Sequence, residues 1–96
     1  MTYTLSTQTG GTIDDFRRVE AILGPEVPAG LIARYVGTDD VGLCITTVWG
    51  SKADSDRFSA ERLFPALREA FGDDPGAARA MIAFEAVDDL VLEVAR

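Results

Sequence analysis

Period-two alternation marks some segments of this chain, and a three-and-four recurrence of apolar residues marks two others. From Thr2 to Thr7, Tyr3, Leu5 and Thr7 alternate with Thr4 and Ser6, which predicts a first strand. Gly10-Gly11 breaks it, and Thr12 then caps a helix, with Asp15 as its capping-box partner. Ile13, Phe16, Val19, Ile22 and Leu23 form the apolar stripe of that helix, and Gly24-Pro25 ends it. After the two-proline connection GPEVPAG, Leu31 to Val36 predicts a second strand, with Leu31, Ala33 and Tyr35 on one face and Ile32, Arg34 and Val36 on the other. Gly37-Thr38-Asp39-Asp40 is short enough to be a hairpin turn.

The third strand, Val41 to Trp49, is apolar on both faces: Val41, Leu43, Ile45, Thr47 and Trp49 on one, and the smaller Gly42, Cys44, Thr46 and Val48 on the other. Ser51 caps a second helix, with Asp54 at the capping-box position. Its stripe is Ala60, Leu63, Phe64, Leu67, Ala70 and Phe71, with Phe58 on the opposite side of an ideal helix. Pro65 predicts a break or kink near Leu63 and Phe64 and a second helical piece beyond it. GDDPG, residues 72 to 76, ends the element; Ala80 to Val87 predicts a fourth strand, and Leu90 to Val94 a fifth strand or tail.

The order β-α-β-β-α-β predicts a ferredoxin-like α+β fold in one domain, residues 1–96, with an antiparallel sheet. Two helices cover one face of such a sheet. The other face still carries apolar side chains, and burying it against a second copy gives a two-fold homodimer.

Composition narrows the function classes. The chain is 47% hydrophobic with a net charge of −7, which argues against nucleic acid and anionic membrane surfaces as partners. No apolar run approaches the ~20 residues of a membrane span. The opening Met-Thr-Tyr-Thr-Leu has no signal-peptide pattern, so a cytoplasmic location is expected. Cys44 is the single cysteine, flanked by Leu43 and Ile45, and reads as a buried inert thiol. The chain has no histidine and no asparagine, which excludes Ser-His-Asp and Cys-His catalysis. The Asp pairs 14–15, 39–40, 73–74 and 88–89 lie at turns and helix starts without a metal-ligand ladder, so no metal is expected.

The hairpin with GTDD, the strand ending in Trp49, and then Ser51, Phe58 and the E-R-L-x-P of Glu61, Arg62, Leu63 and Pro65 resemble the dimeric α+β barrel superfamily. The resemblance is to its antibiotic biosynthesis monooxygenase-like (ABM) domains in particular. It implies a dimeric α+β barrel and, among the superfamily's activities, cofactor-free oxygenation of polycyclic aromatics, haem degradation or isomerisation. Haem-degrading relatives use a histidine near the place where this chain has Phe58 and Ser59, so haem degradation is not expected here.

On that resemblance Arg34, Tyr3 and Trp49 are the candidate catalytic residues, positioning and stabilising a substrate anion. Trp49, Phe58 and Tyr35 are the candidate ligand-binding residues. Each has a plainer reading. Trp49 packs in the core with its N–H on a backbone carbonyl; Arg34 forms a salt bridge with Glu85 or Glu93; Phe58 covers the helix locally; Tyr3 is a packed amphipath. The expected function is a cofactor-independent monooxygenase or isomerase acting on a small apolar aromatic. The alternative is a non-catalytic dimeric module that binds a small hydrophobic ligand or assembles. A regulatory amino-acid-binding domain of the ACT type shares the topology but usually accompanies another domain.

Overall fold

A computed structural model describes residues 2–72, 80–88 and 90. The elements are β1 (Tyr3–Thr9), α1 (Ile13–Leu23), β2 (Leu31–Thr38), β3 (Leu43–Trp49), α2 (Lys52–Phe58), a π-helical turn (Ser59–Leu63), α3 (Phe64–Phe71) and β4 (Ala80–Glu85). The four strands form one antiparallel sheet in the order β2-β3-β1-β4, the ferredoxin-like arrangement. The expected fifth strand falls largely outside the described residues.

Local chemistry sets the element ends. The Thr12 hydroxyl accepts from the Asp15 N–H at 3.1 Å, and the Asp15 carboxylate accepts from the Thr12 N–H at 2.9 Å, a complete capping box. At α2 only half of the box forms. The Ser51 hydroxyl accepts from the Asp54 N–H, but Asp54 turns to the Ser51 hydroxyl and to Arg57 instead of the Ser51 backbone. β3 begins at Leu43, not Val41, because Asp39 holds the Val41 and Gly42 N–H groups in the turn, at 2.8 and 3.2 Å. Gly42 takes φ 149°, and any Cβ there would overlap the Thr9 carbonyl, so the hairpin tip can lie against the end of β1.

Two irregularities change which residues share a face. A β-bulge between Leu31 and Ala33 makes Ile32 an extra residue, so Leu31 shares a face with Arg34 and Val36 rather than with Ala33 and Tyr35. The bulge follows Gly30, whose φ is 86° and whose missing Cβ leaves room for Asp54.

The second irregularity answers Pro65. The chain does not leave the helix; it widens by one residue, and the Phe64 N–H reaches back to the Ser59 carbonyl. Pro65 follows directly inside the continuous helix, and the widened turn accommodates the ring and the missing N–H that a regular turn could not. One residue inserted in a turn sets the helix phase back by roughly 100°. Phe58, which a regular helix would place opposite Leu67, therefore joins Leu63 and Leu67 on the side that faces the sheet.

The helices cover the face bearing Leu5, Thr7, Leu43, Ile45, Thr47 and Trp49. Tyr3, Val19, Leu43, Trp49 and Ala66 form the buried core. The opposite face is open. Its centre is Thr4, Ser6, Gln8, Cys44, Thr46 and Val48, all half-buried, with the Ser6 and Thr46 hydroxyls joined at 2.9 Å. Cys44 is thus half-buried rather than buried. The large exposed apolar groups of this face come from the flanking strands: Tyr35 on β2, and Ile82 and Phe84 on β4.

Candidate functional site

Between the helices and the sheet the interior is hollow. An inner cavity of about 1180 Å³ lies between the β1 and β3 side chains Leu5, Thr7, Leu43 and Ile45 and the helix side chains Phe16, Val19, Leu63 and Leu67. An outer cavity of about 730 Å³ adjoins it, walled by the end of α1, the connection through Pro25 and Pro28, and the start of β2. Glu20, Leu23, Arg34, Thr47, Trp49 and Phe58 line both, and so form the partition where the cavities meet. The outer volume falls within the range of small-molecule sites, roughly 300–1,000 Å³.

Trp49 is the anchor of this partition. It is 2% exposed, and its ring lies 5.4 Å from that of Phe58, centroid to centroid, in a tilted arrangement. Its indole N–H donates to the Thr47 hydroxyl at 2.8 Å, rather than to a backbone carbonyl. Thr47 in turn donates to the Leu5 carbonyl at 3.4 Å. The indole N–H is therefore spent inside the protein, and the buried ring of Trp49 backs that of Phe58.

Arg34 projects from β2 toward the same place. Its guanidinium sits 5.1 Å from the Phe16 ring centroid and donates to the Glu20 carboxylate of α1 at 3.0 Å. The expected partners Glu85 and Glu93 are replaced by Glu20. Glu85 lies on β4, separated from β2 by two intervening strands, and Glu93 lies outside the described residues. Helix α1 passes over the face that bears Arg34, which sequence spacing alone does not reveal.

Arg34, Trp49 and Phe58 thus converge, while the two tyrosines do not join them. Tyr3 pairs with Trp49 across the β1–β3 ladder, is 8% exposed and lines neither cavity. Tyr35 stands on the open face, on the far side of the sheet. Three further residues belong to the site without a sequence signal that marks them. Thr47 reads as a strand residue, yet it orients the indole. Glu20 occupies a polar position of α1 and carried no motif. Arg62 lies within the E-R-L-x-P segment; its guanidinium donates to the Leu23 carbonyl at 2.9 Å and lies 5.6 Å from the Phe58 ring centroid.

Among the described residues no cluster of three or more acidic or sulfur side chains could hold a metal, and no helix is long and apolar enough to cross a membrane. No family model and no curated protein matches the chain. A crystal structure from Chloroflexus aurantiacus J-10-fl, of a protein provisionally described as an antibiotic biosynthesis monooxygenase, does match. The TM-score is 0.63 at 19% identity, over 95% of this chain and 98% of that one. The protein has an ABM-like, ferredoxin-like α+β fold.

Proposed function

We propose that the hollow binds a small, flat aromatic compound and that the protein acts on it without a cofactor, as a monooxygenase or an isomerase. The observation that carries this reading is the meeting of Trp49, Phe58 and Arg34 at the partition between the two cavities. The half-buried Phe58 ring, backed by the buried indole of Trp49, suits an aromatic body, and a guanidinium suits an oxygen that becomes anionic when the substrate enolises. Glu20, already paired with Arg34, is the carboxylate placed to take the proton. In the oxygenase case the substrate carbanion reduces O₂ itself. One oxygen atom replaces the two hydrogens of a methylene as a carbonyl, and the other leaves as water.

The reading includes a homodimer closed through the open face of the sheet. Tyr35, Ile82 and Phe84 leave that face apolar and exposed, and a second copy of the same face is self-complementary to it.

Oxygen uptake and product mass, measured with a panel of enolisable two- and three-ring aromatics, test the activity. Arg34→Ala is expected to lower turnover at least roughly 100-fold while leaving the fold and the assembly intact. Full turnover in that variant would refute the role of Arg34. Tight binding of the panel without turnover would favour a binding module, the reading supported by the absence of histidine and asparagine.

A further inference from the structure

We infer that the ligand carries a fixed anionic group, a carboxylate on its aromatic frame, and that Arg62 is the residue that selects it. This rests on the reading of the hollow as an aromatic-binding site and specifies what enters it. The chain has a net charge of −7, yet the outer cavity is lined by Arg17, Arg34 and Arg62 against Glu20 and Glu26. The walls are therefore cationic inside an anionic protein, and that pattern serves an anion.

The three guanidiniums are not equivalent. Arg34 is already neutralised by Glu20 at 3.0 Å, and Arg17 is exposed to solvent. Arg62 is half-buried, and among the described residues it forms no ion pair. Its hydrogen bond to the Leu23 carbonyl uses one of five N–H donors and fixes the guanidinium. The remaining donors can take a carboxylate in the bidentate geometry that arginine favours. Phe58 lies beneath Arg62, with Trp49 against Phe58, so the charge sits beside the aromatic wall. A two-ring carboxylate would lay its rings on that wall and its charge on Arg62, leaving Arg34 for the oxygen at the reacting carbon.

Equilibrium dialysis of the intact protein with naphthalene-2-carboxylate and with its neutral isostere naphthalene-2-carboxamide tests this. The acid is expected to bind roughly tenfold tighter than the amide, with the preference shrinking at high salt. Arg62→Gln should bring the two to within about twofold, weakening the acid far more than the amide, and Arg62→Lys should retain part of the preference. Equal binding of acid and amide by the unaltered protein, or a preference that survives Arg62→Gln, would overturn the inference while leaving the aromatic site standing. Should Arg62→Gln fail to fold because the tie to Leu23 is lost, a preference insensitive to salt and to Arg62→Lys would overturn it equally. Failure of both compounds to bind would remove the aromatic site as well.

Discussion

At the scale of single residues, the most consequential contact is the hydrogen bond from Trp49 to Thr47. It fixes the indole plane and consumes the only polar group of a side chain that is 2% exposed. Thr47→Val keeps the shape but removes the acceptor, and a buried unpaired N–H costs about 1–3 kcal/mol. Urea unfolding followed by the fluorescence of Trp49, the single tryptophan of the chain, should register that loss. Asp39 offers a pH-dependent case. Hydrogen bonds from the Val41 and Gly42 N–H groups hold its carboxyl below the usual value of 3.8. A carboxyl depressed in the folded state stabilises above its unfolded pKa, and that contribution is lost as the pH falls through the folded value. The difference in melting temperature between the unaltered protein and Asp39→Ala should thus be present at neutral pH and vanish in acid below 3.8. A difference independent of pH would mean that the carboxylate charge plays no part in the turn.

At the scale of elements, the two helix starts behave differently although their sequences look alike. Thr12 and Asp15 satisfy each other, and Thr12→Ala should cost about 1 kcal/mol in thermal or chemical unfolding. The π-turn matters more for function. Pro65 cannot donate to the preceding turn, and the helix answers by widening just ahead of it. That widening rotates Phe58 into the cavity wall beside Trp49. Deleting Ala60 should restore regular phase, swing Phe58 out by roughly 100° and abolish binding of a two-ring ligand. Unchanged binding in that deletion would separate Phe58 from the site.

At the scale of the whole molecule, the helices rest on the sheet around a hollow, and the sheet's other face is left with exposed aromatic and aliphatic groups. If a second copy covers that face, a charge placed in its middle should separate the two. Phe84→Glu is expected to convert a dimer into a monomer in sedimentation or native mass spectrometry. A monomer before any substitution would instead rule out the assembly.

The order of strands and helices, the capping residues and the hairpin were legible in the sequence by itself, whereas the exposed apolar groups of the open face come from β2 and β4 rather than from β3. The legible features follow from local propensity and from the periods of a strand and a helix, which neighbouring residues determine. Trp49, Phe58 and Arg34 could be singled out as unusual for the same reason. Their convergence could not be read that way. A bulge at Ile32 and an extra residue at Ser59 to Leu63 each reset the phase of an element, and linear spacing counts straight through such resets. The pairing of Arg34 with Glu20, the service of Thr47 to Trp49, the place of Arg62 and the existence of the cavities arise only when α1 and α2 are laid over the sheet. Tertiary structure decided these because a cavity is the space that side chains from distant elements fail to fill.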